Sequence, residues 1–303
     1  MTRRVAAIDL GTNSTRLLVA DVAGGRLVEV ERLLTITRLG DGVDASGGLS
    51  QPAMERVADC VQRYADRARA LGSETPLATA TSAVRDAENG DHFLRMLEQR
   101  CGVRARRIDG RQEARLTLRG VASGRSIEQP VVVCDIGGGS TELIAGTGDS
   151  VTLATSLDMG CVRMSERHLV NDPPTPTQLT ALRAQVAEML PRDVPDGDLI
   201  GVAGTVTTLA TIDLDLDHEL PELIDGHRLE RETIERELAR LAAMPLEERR
   251  RVRGLMPERA ATIVAGAAIL AELMDVLGRA SLEVSERDIL HGAALEAADA
   301  PPA

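Results

Sequence analysis

Asp9–Val19 reads DLGTNSTRLLV, and Asp135–Ala145 reads DIGGGSTELIA. Laid over each other without a gap, the two stretches share the leading acid, the glycine two positions on, a Ser-Thr pair and a leucine. Small polar residues between aliphatic and β-branched runs predict a β-hairpin at each place. Each hairpin is followed by a third apolar run, Leu27–Leu39 after the Gly24-Gly25 turn and Val151–Leu157 in the second half. A repeat of this length occurring twice is not a solenoid period. It predicts a duplicated α/β domain, with the two hairpin tips facing each other across a cleft.

Working outward from the first hairpin, Ser50 reads as a helix N-cap, with Pro52 in the first turn and Gly72 as the stop. Between them Met54, Val57, Val61, Tyr64, Ala68 and Leu71 fall on one helical face. A strand at Leu77–Thr81, a helix around Phe93–Leu97, a strand near Val103–Ile108 and a helix from about Arg111 complete the first half. After the second hairpin, the Pro/Thr-rich NDPPTPTQ leads into a helix that ends before Pro191. A short strand at Leu199–Val202 follows. From Leu229 the pattern is mostly helical, then a strand at Ser281–Val284 and a closing helix. The fold class is α/β, with domains at 1–124 and 125–303 and the boundary near Gly124.

Of the 303 residues, 43% are hydrophobic, enough for two packed cores. With one Tyr, one Phe and no Trp, those cores must be aliphatic. The four cysteines, Cys60, Cys101, Cys134 and Cys161, form no CxxC pair, which reads as a reduced, cytoplasmic protein. No apolar leader precedes the first strand pattern, and no apolar run approaches the ~20 residues of a membrane span. Net charge is −12, and the bases include no lysine. An acidic chain is a poor partner for nucleic acid or for anionic membrane. Arginines nevertheless cluster at Arg104, Arg106, Arg107, Arg111 and Arg115, and at Arg249, Arg250, Arg251 and Arg253. They read either as helix faces balanced by acids such as Glu247 and Glu248, or as a local lining for a polyanion.

The hairpin tips carry the chemistry. Glycines let successive backbone N–H groups form an anion nest, and the hydroxyls of Ser14, Thr15, Ser140 and Thr141 add donors. A strand-end Asp beside phosphate suits Mg²⁺, which takes carboxylate, water and phosphate oxygens together. Seven places after the Asp the copies differ, Arg16 in one and Glu142 in the other. Arg16 reads most simply as a solvated strand residue, whereas Glu142 with Asp135 makes a two-carboxylate metal site if both reach the cleft. Glu113 falls in the first turn of a helix, where amides and dipole favour a carboxylate by about 0.3–1 kcal/mol. It reads either as a helix-start acid with no further role or as the group that orients an attacking water. His92, His168, His218, His227 and His291 show no zinc spacing, and Cys134 reads as a small buried hydrophobe.

With these residues in view, the chain resembles the exopolyphosphatase and guanosine pentaphosphate phosphohydrolase family, which shares the actin, sugar-kinase and heat-shock ATPase fold. The resemblance runs through AAIDLGTNSTRLLVAD, GDGV, ATSAVRDAEN, IDGRQEARL, VVVCDIGGGSTELI, DMGCVR, GVAGTVTTLA and PERAATIVAGAAIL. It implies two ribonuclease H-like (actin-like ATPase) domains and a catalytic role for Glu113, which activates water. It implies Mg²⁺, with Mn²⁺ as substitute, at Asp135 and Glu142 with Asp9 opposite. Thr12, Asn13, Ser14, Gly137, Gly138, Gly139 and Ser140 match phosphate-holding loops, Arg85 a phosphate contact, and Gly204 and Thr205 a later loop. It further implies inorganic polyphosphate or guanosine pentaphosphate as partner, and a homodimer. Two departures stand out. Ala261 occupies a place where the family often has Asp, which removes a polar group from that helix. Longer relatives carry a further C-terminal helical domain, so weak processivity on long polymers is expected here. Exopolyphosphatase is the leading expectation. Its rivals are guanosine pentaphosphate hydrolysis, a kinase of the same fold, and a polyphosphate or alarmone sensor with little turnover.

Overall fold

The computed structural model describes residues 2–147 and 150–300. The chain forms two compact units, Met1–Ser126 with Arg287–Ala303, and Ile127–Glu286. In chain order the first stretch holds β1 (Arg3–Leu10), β2 (Ser14–Ala23), β3 (Arg26–Ile36), α1 (Val43–Ser46), α2 (Gln51–Ala70), β4 (Leu77–Ala80), α3 (Ser82–Asp86), α4 (Gly90–Cys101), β5 (Arg104–Arg107) and α5 (Gly110–Ala122). The second unit opens with β6 (Val131–Ile136), β7 (Thr141–Thr147), β8 (Ser150–Leu157), α6 (Cys161–His168), α7 (Pro176–Met189), β9 (Asp198–Val202) and α8 (Ala203–Asp213). It continues with α9 (Pro221–Ile224), β10 (Arg228–Glu230), α10 (Arg231–Ala242), α11 (Leu246–Arg249), α12 (Ile263–Val276) and β11 (Ser281–Val284), and α13 (Ile289–Asp299) follows.

The two sheets repeat one plan. The first runs β3-β2-β1-β4-β5, and the second runs β8-β7-β6-β9-β11 with β10 added at its edge. In each, three antiparallel strands are followed by two that lie parallel to the first. Register slips between Val19 and Ala20 in one sheet and between Ala145 and Gly146 in the other, matching positions of the aligned stretches. A bulge conserved in place across two copies marks a shared backbone, because it re-aims a strand rather than following from local residue choice.

Strands β1 and β2 are covered on both faces, which explains their nearly unbroken apolar runs. Ala6, Ile8, Leu10, Leu17 and Val19 pack with Val57, Val61, Phe93 and Leu97 of α2 and α4. On the other face Val5, Ala7, Leu18 and Ala20 pack beneath Leu290, Ala293 and Ala294 of α13. In the second unit Val132, Cys134, Ile136 and Leu143 join Val264, Ile269 and Leu273 of α12. The Ser50 cap forms as expected, its side chain accepting from Ala53 N–H. All four cysteines are buried and free. Burial pushes the Cys134 thiol up to about 12, which suits a packing residue. Among the described residues no helix is long and apolar enough to cross a membrane.

Several expectations are corrected. The closing helix, placed by the 124/125 division in the second domain, packs in the first unit, because its apolar face covers β1 and β2. The third run ends at Ile36 rather than Leu39, since Thr37 and Arg38 turn their N–H groups to Asn13. Leu229 begins no helix. It pairs with Leu282 in β10, a strand too short to show a period. The helices α3 and α6 were not foreseen. The clustered arginines are mostly balanced by acids, as Arg106 with Glu296 (2.9 Å), Arg249 with Asp172 (2.9 Å) and Arg253 with Asp217 (2.7 Å) show.

Candidate active site

In each unit the residues singled out from sequence lie where parallel strands end at their carboxyl termini, the edge at which open α/β sheets bind ligands. In the first unit β1 runs into the hairpin, β4 into α3 with Arg85, and β5 into α5 with Glu113. In the second, β6 runs into the glycine loop and β9 into α8 with Gly204 and Thr205.

The two hairpins are built alike. Gly11 N–H donates to Ser14 O at 3.0 Å, and Gly137 N–H to Ser140 O at 3.0 Å. In both, the loop carbonyls are tied back by a later segment. Asn13 O accepts from Thr37 and Arg38 (3.0 and 2.9 Å), and Thr12 O from Gly40 (2.8 Å). In the second loop the ties come from the start of α6. Cys161 N–H reaches Gly137 O at 2.9 Å, Val162 reaches Gly138 O at 2.9 Å, and Gly160 reaches Gly139 O at 3.1 Å. The approach is so close that a Cβ on Gly160 would lie 2.2 Å from the Gly138 carbonyl carbon. With the carbonyls engaged, the N–H groups of Gly138 and Gly139 bond to no backbone acceptor among the described residues. This leaves them for an anion.

At the neck of each hairpin the register sets one pair of side chains side by side on one face. The pair is Asp9 with Arg16 in the first unit and Asp135 with Glu142 in the second. Asp135 and Glu142 are 7% and 1% exposed, and Ser156 Oγ donates to Glu142 Oε1 at 2.6 Å. Their paired carboxylates are the hard oxygen donors that Mg²⁺ takes, with water and phosphate oxygens completing its shell. No cluster of three or more His, Cys, Asp or Glu suited to a metal occurs among the described residues.

Arg16 is not a solvated strand residue. Its Nε and Nη2 both donate to Asp9 Oδ2 (2.9 and 2.7 Å), and Nη1 donates to Asp288 Oδ2. Burial in this cluster raises the Asp9 pKa, Arg16 offsets part of the rise, and Asp288 adds to it. At Asp288 burial also acts upward, but Arg16 and His291 outweigh it and hold the carboxyl well below the ordinary range. The guanidinium thus places a positive charge directly on Asp9.

Glu113 is 6% exposed on α5, whose N-cap Asp109 accepts from Gln112 N–H in a capping box. Arg85 Nη1 donates to Glu113 Oε2 at 2.8 Å, so two residues chosen separately from sequence meet in one ion pair. At the start of α8, Gly204 O, Thr208 Oγ1 and Glu219 Oε1 all accept from Arg259 Nη1 (2.7, 2.8 and 2.8 Å). Sequence reasoning missed Arg259. The signal lay in PERAAT, where attention fell on Ala261 two residues later.

The family model described as the Ppx/GppA phosphatase family matches residues 18–300. The chain belongs to that family. It is 39% identical over 315 residues to "Exopolyphosphatase 2" of Mycobacterium tuberculosis, covering 97% of this chain and 98% of the relative. It is 33% identical to "Guanosine-5'-triphosphate,3'-diphosphate pyrophosphatase" of Vibrio atlanticus, covering 97% of this chain and 59% of that protein. Among solved structures, the Aquifex aeolicus PPX-GPPA enzyme superposes with a TM-score of 0.84 at 30% identity, covering 98% of this chain and all of that one (100%). Both units therefore have the actin-like ATPase fold expected from the resemblance, and the chain is a phosphatase of the Ppx/GppA family.

One histidine of this Ppx/GppA chain carries a pH dependence. His291 is fully buried (0% exposed), with Nε2 3.0 Å from Glu29 Oε1 and Nδ1 3.6 Å from Asp288 Oδ1. Burial alone would lower its pKa; Asp288 and Glu29 outweigh it, so the pKa rises above the usual 6.5. The stabilisation from the charged ring is complete below about pH 6.5 and is lost as pH rises through the raised value. The urea midpoint should therefore fall on the alkaline side, and less steeply in His291→Gln. A wild-type midpoint flat from about pH 6 to about pH 9 would contradict this.

Proposed function

We propose that this chain is a Mg²⁺-dependent exopolyphosphatase that releases orthophosphate from the end of inorganic polyphosphate. The observation that carries the reading is the partly buried Glu113–Arg85 pair at the strand edge that also bears the first phosphate hairpin. The end-to-end correspondence with a relative named as an exopolyphosphatase supports the same substrate.

In this reading the carboxylate of Glu113 orients a water and takes its proton as the water oxygen bonds to the terminal phosphorus. The bond from that phosphorus to the bridging oxygen breaks, and the shortened chain leaves with the electron pair. Arg85 and the amides of the first loop stabilise negative charge on the phosphoryl oxygens, which is most of what phosphoryl transfer asks of a protein. Asp135 and Glu142 would hold the divalent cation, which when bound supplies positive charge to phosphate oxygens. The second reading, removal of the 5′ terminal phosphate of guanosine pentaphosphate, draws on the Vibrio atlanticus relative's name.

Orthophosphate release from medium-length polyphosphate, followed with Mg²⁺ and with guanosine pentaphosphate in direct competition, separates the two. Polyphosphate should be consumed first, and chelation should stop release until Mg²⁺ is restored. Preferential loss of the nucleotide would replace the first reading by the second. Release that persists in chelator would remove the cation from the proposal.

A further inference from the structure

The neck of the first hairpin is joined to the far end of the chain. Arg16 forks across β1 and β2 onto Asp9, and its remaining nitrogen reaches Asp288, at the start of α13. The side chains of Arg16, Asp9 and Asp288 are 18%, 8% and 7% exposed. Asp288 is also the N-cap of α13: its Oδ1 accepts from Leu290 N–H at 3.0 Å. The same helix end lies against α5, the helix of Glu113, where a Cβ on Gly120 would sit 1.8 Å from Asp288 O. One carboxylate therefore touches the hairpin clamp while its backbone touches the helix of the water-activating glutamate.

We propose that Asp288 is a positioning residue for phosphate hydrolysis: through Arg16 it fixes the neck of the first hairpin relative to α5. The proposal rests on the functional reading above only for what is hydrolysed. The second unit has the same hairpin with an acid pair at its neck, Asp135 and Glu142, in place of the clamp. The two necks thus differ in sequence, an acid–guanidinium pair in the first and an acid pair in the second. Holding a reacting constellation to within a fraction of an ångström is worth large factors in rate, and the clamp supplies that restraint from a helix far along the sequence.

Asn caps helices about as well as Asp, so Asp288→Asn removes the charge on Arg16 while keeping the cap. The variant should still fold, at a lower unfolding temperature because its buried pairs with Arg16 and His291 are lost, and kcat/KM for orthophosphate release should fall by about tenfold or more. Because Asp288 acts through Arg16, adding Asp288→Asn to Arg16→Gln should cost nothing further. The amide NMR resonances of Gly11, Thr12, Asn13 and Ser14 should shift in Asp288→Asn. They should stay in place in Asp299→Asn, which breaks the pair of Asp299 with Arg119 on the same helix. Should Asp288→Asn unfold, Asp288→Ser, another capping residue without charge, takes its place in all three measurements. Wild-type kcat/KM in the variant, multiplied losses in the double variant, or unmoved hairpin resonances would overturn the proposal. A wild-type protein that releases no phosphate would instead sink the substrate reading, and the resonance shifts would still decide the role of Asp288.

Discussion

Glu113→Gln is expected to lower orthophosphate release by roughly 10²–10⁴-fold, the range over which a positioned general base contributes. The substitution keeps the shape of the side chain and a carbonyl oxygen that still accepts from Arg85, which lies 2.8 Å away. The helix start is held independently by Asp109 and Gln112, so α5 should form as before. What the amide lacks is the capacity to take a proton from water. Polyphosphate binding, measured by calorimetry, should therefore survive while turnover is lost. This contrast also separates an enzyme from a sensor, in which binding is the whole function and the variant would behave as wild type. Turnover within threefold of wild type would remove Glu113 from the chemistry; about threefold is small beside the loss expected of a base.

What could be read from sequence was local. The paired hairpins announced themselves because strand, glycine turn and strand are contiguous, and the spacing from Asp9 to Arg16 already contains the cross-strand register. The capped helix α2 was legible for the same reason, since Ser50, Pro52 and the apolar stripe follow one another. The short helices α3 and α6 escaped because five and eight residues hardly complete an amphipathic period. Arg16 was misread because its second partner, Asp288, lies 272 positions away, and nothing local marks that pair. Glu113 was raised by its place in the first turn of a helix and Arg85 by resemblance, but their ion pair needed the parallel strands β4 and β5 to bring α3 and α5 to one edge.

Gly120→Ala and Gly292→Ala are expected to be the most destabilising single-methyl changes in the first unit. Helices α5 and α13 cross there in backbone contact: a Cβ on Gly120 would lie 1.8 Å from Asp288 O, and one on Gly292 would lie 1.9 Å from Leu116 O. Neither obstacle is a flexible side-chain end that can swing away, so the helices must part. Overpacking of this kind costs about 3 kcal/mol or more, since α13 also covers the apolar face of β1 and β2. At about 1.4 kcal/mol per factor of ten, that is a hundredfold shift in the folded ratio, visible as a lower urea midpoint. Gly24 provides the contrast, because its φ is +55° but nothing lies within 4 Å of the added atom. Gly24→Asn should cost little, as Asn tolerates the left-handed turn. If Gly120→Ala proved as mild as Gly24→Asn, the two helices would not be in backbone contact. The route from Asp288 to the helix of Glu113 would then be broken, however well Arg16 held the hairpin.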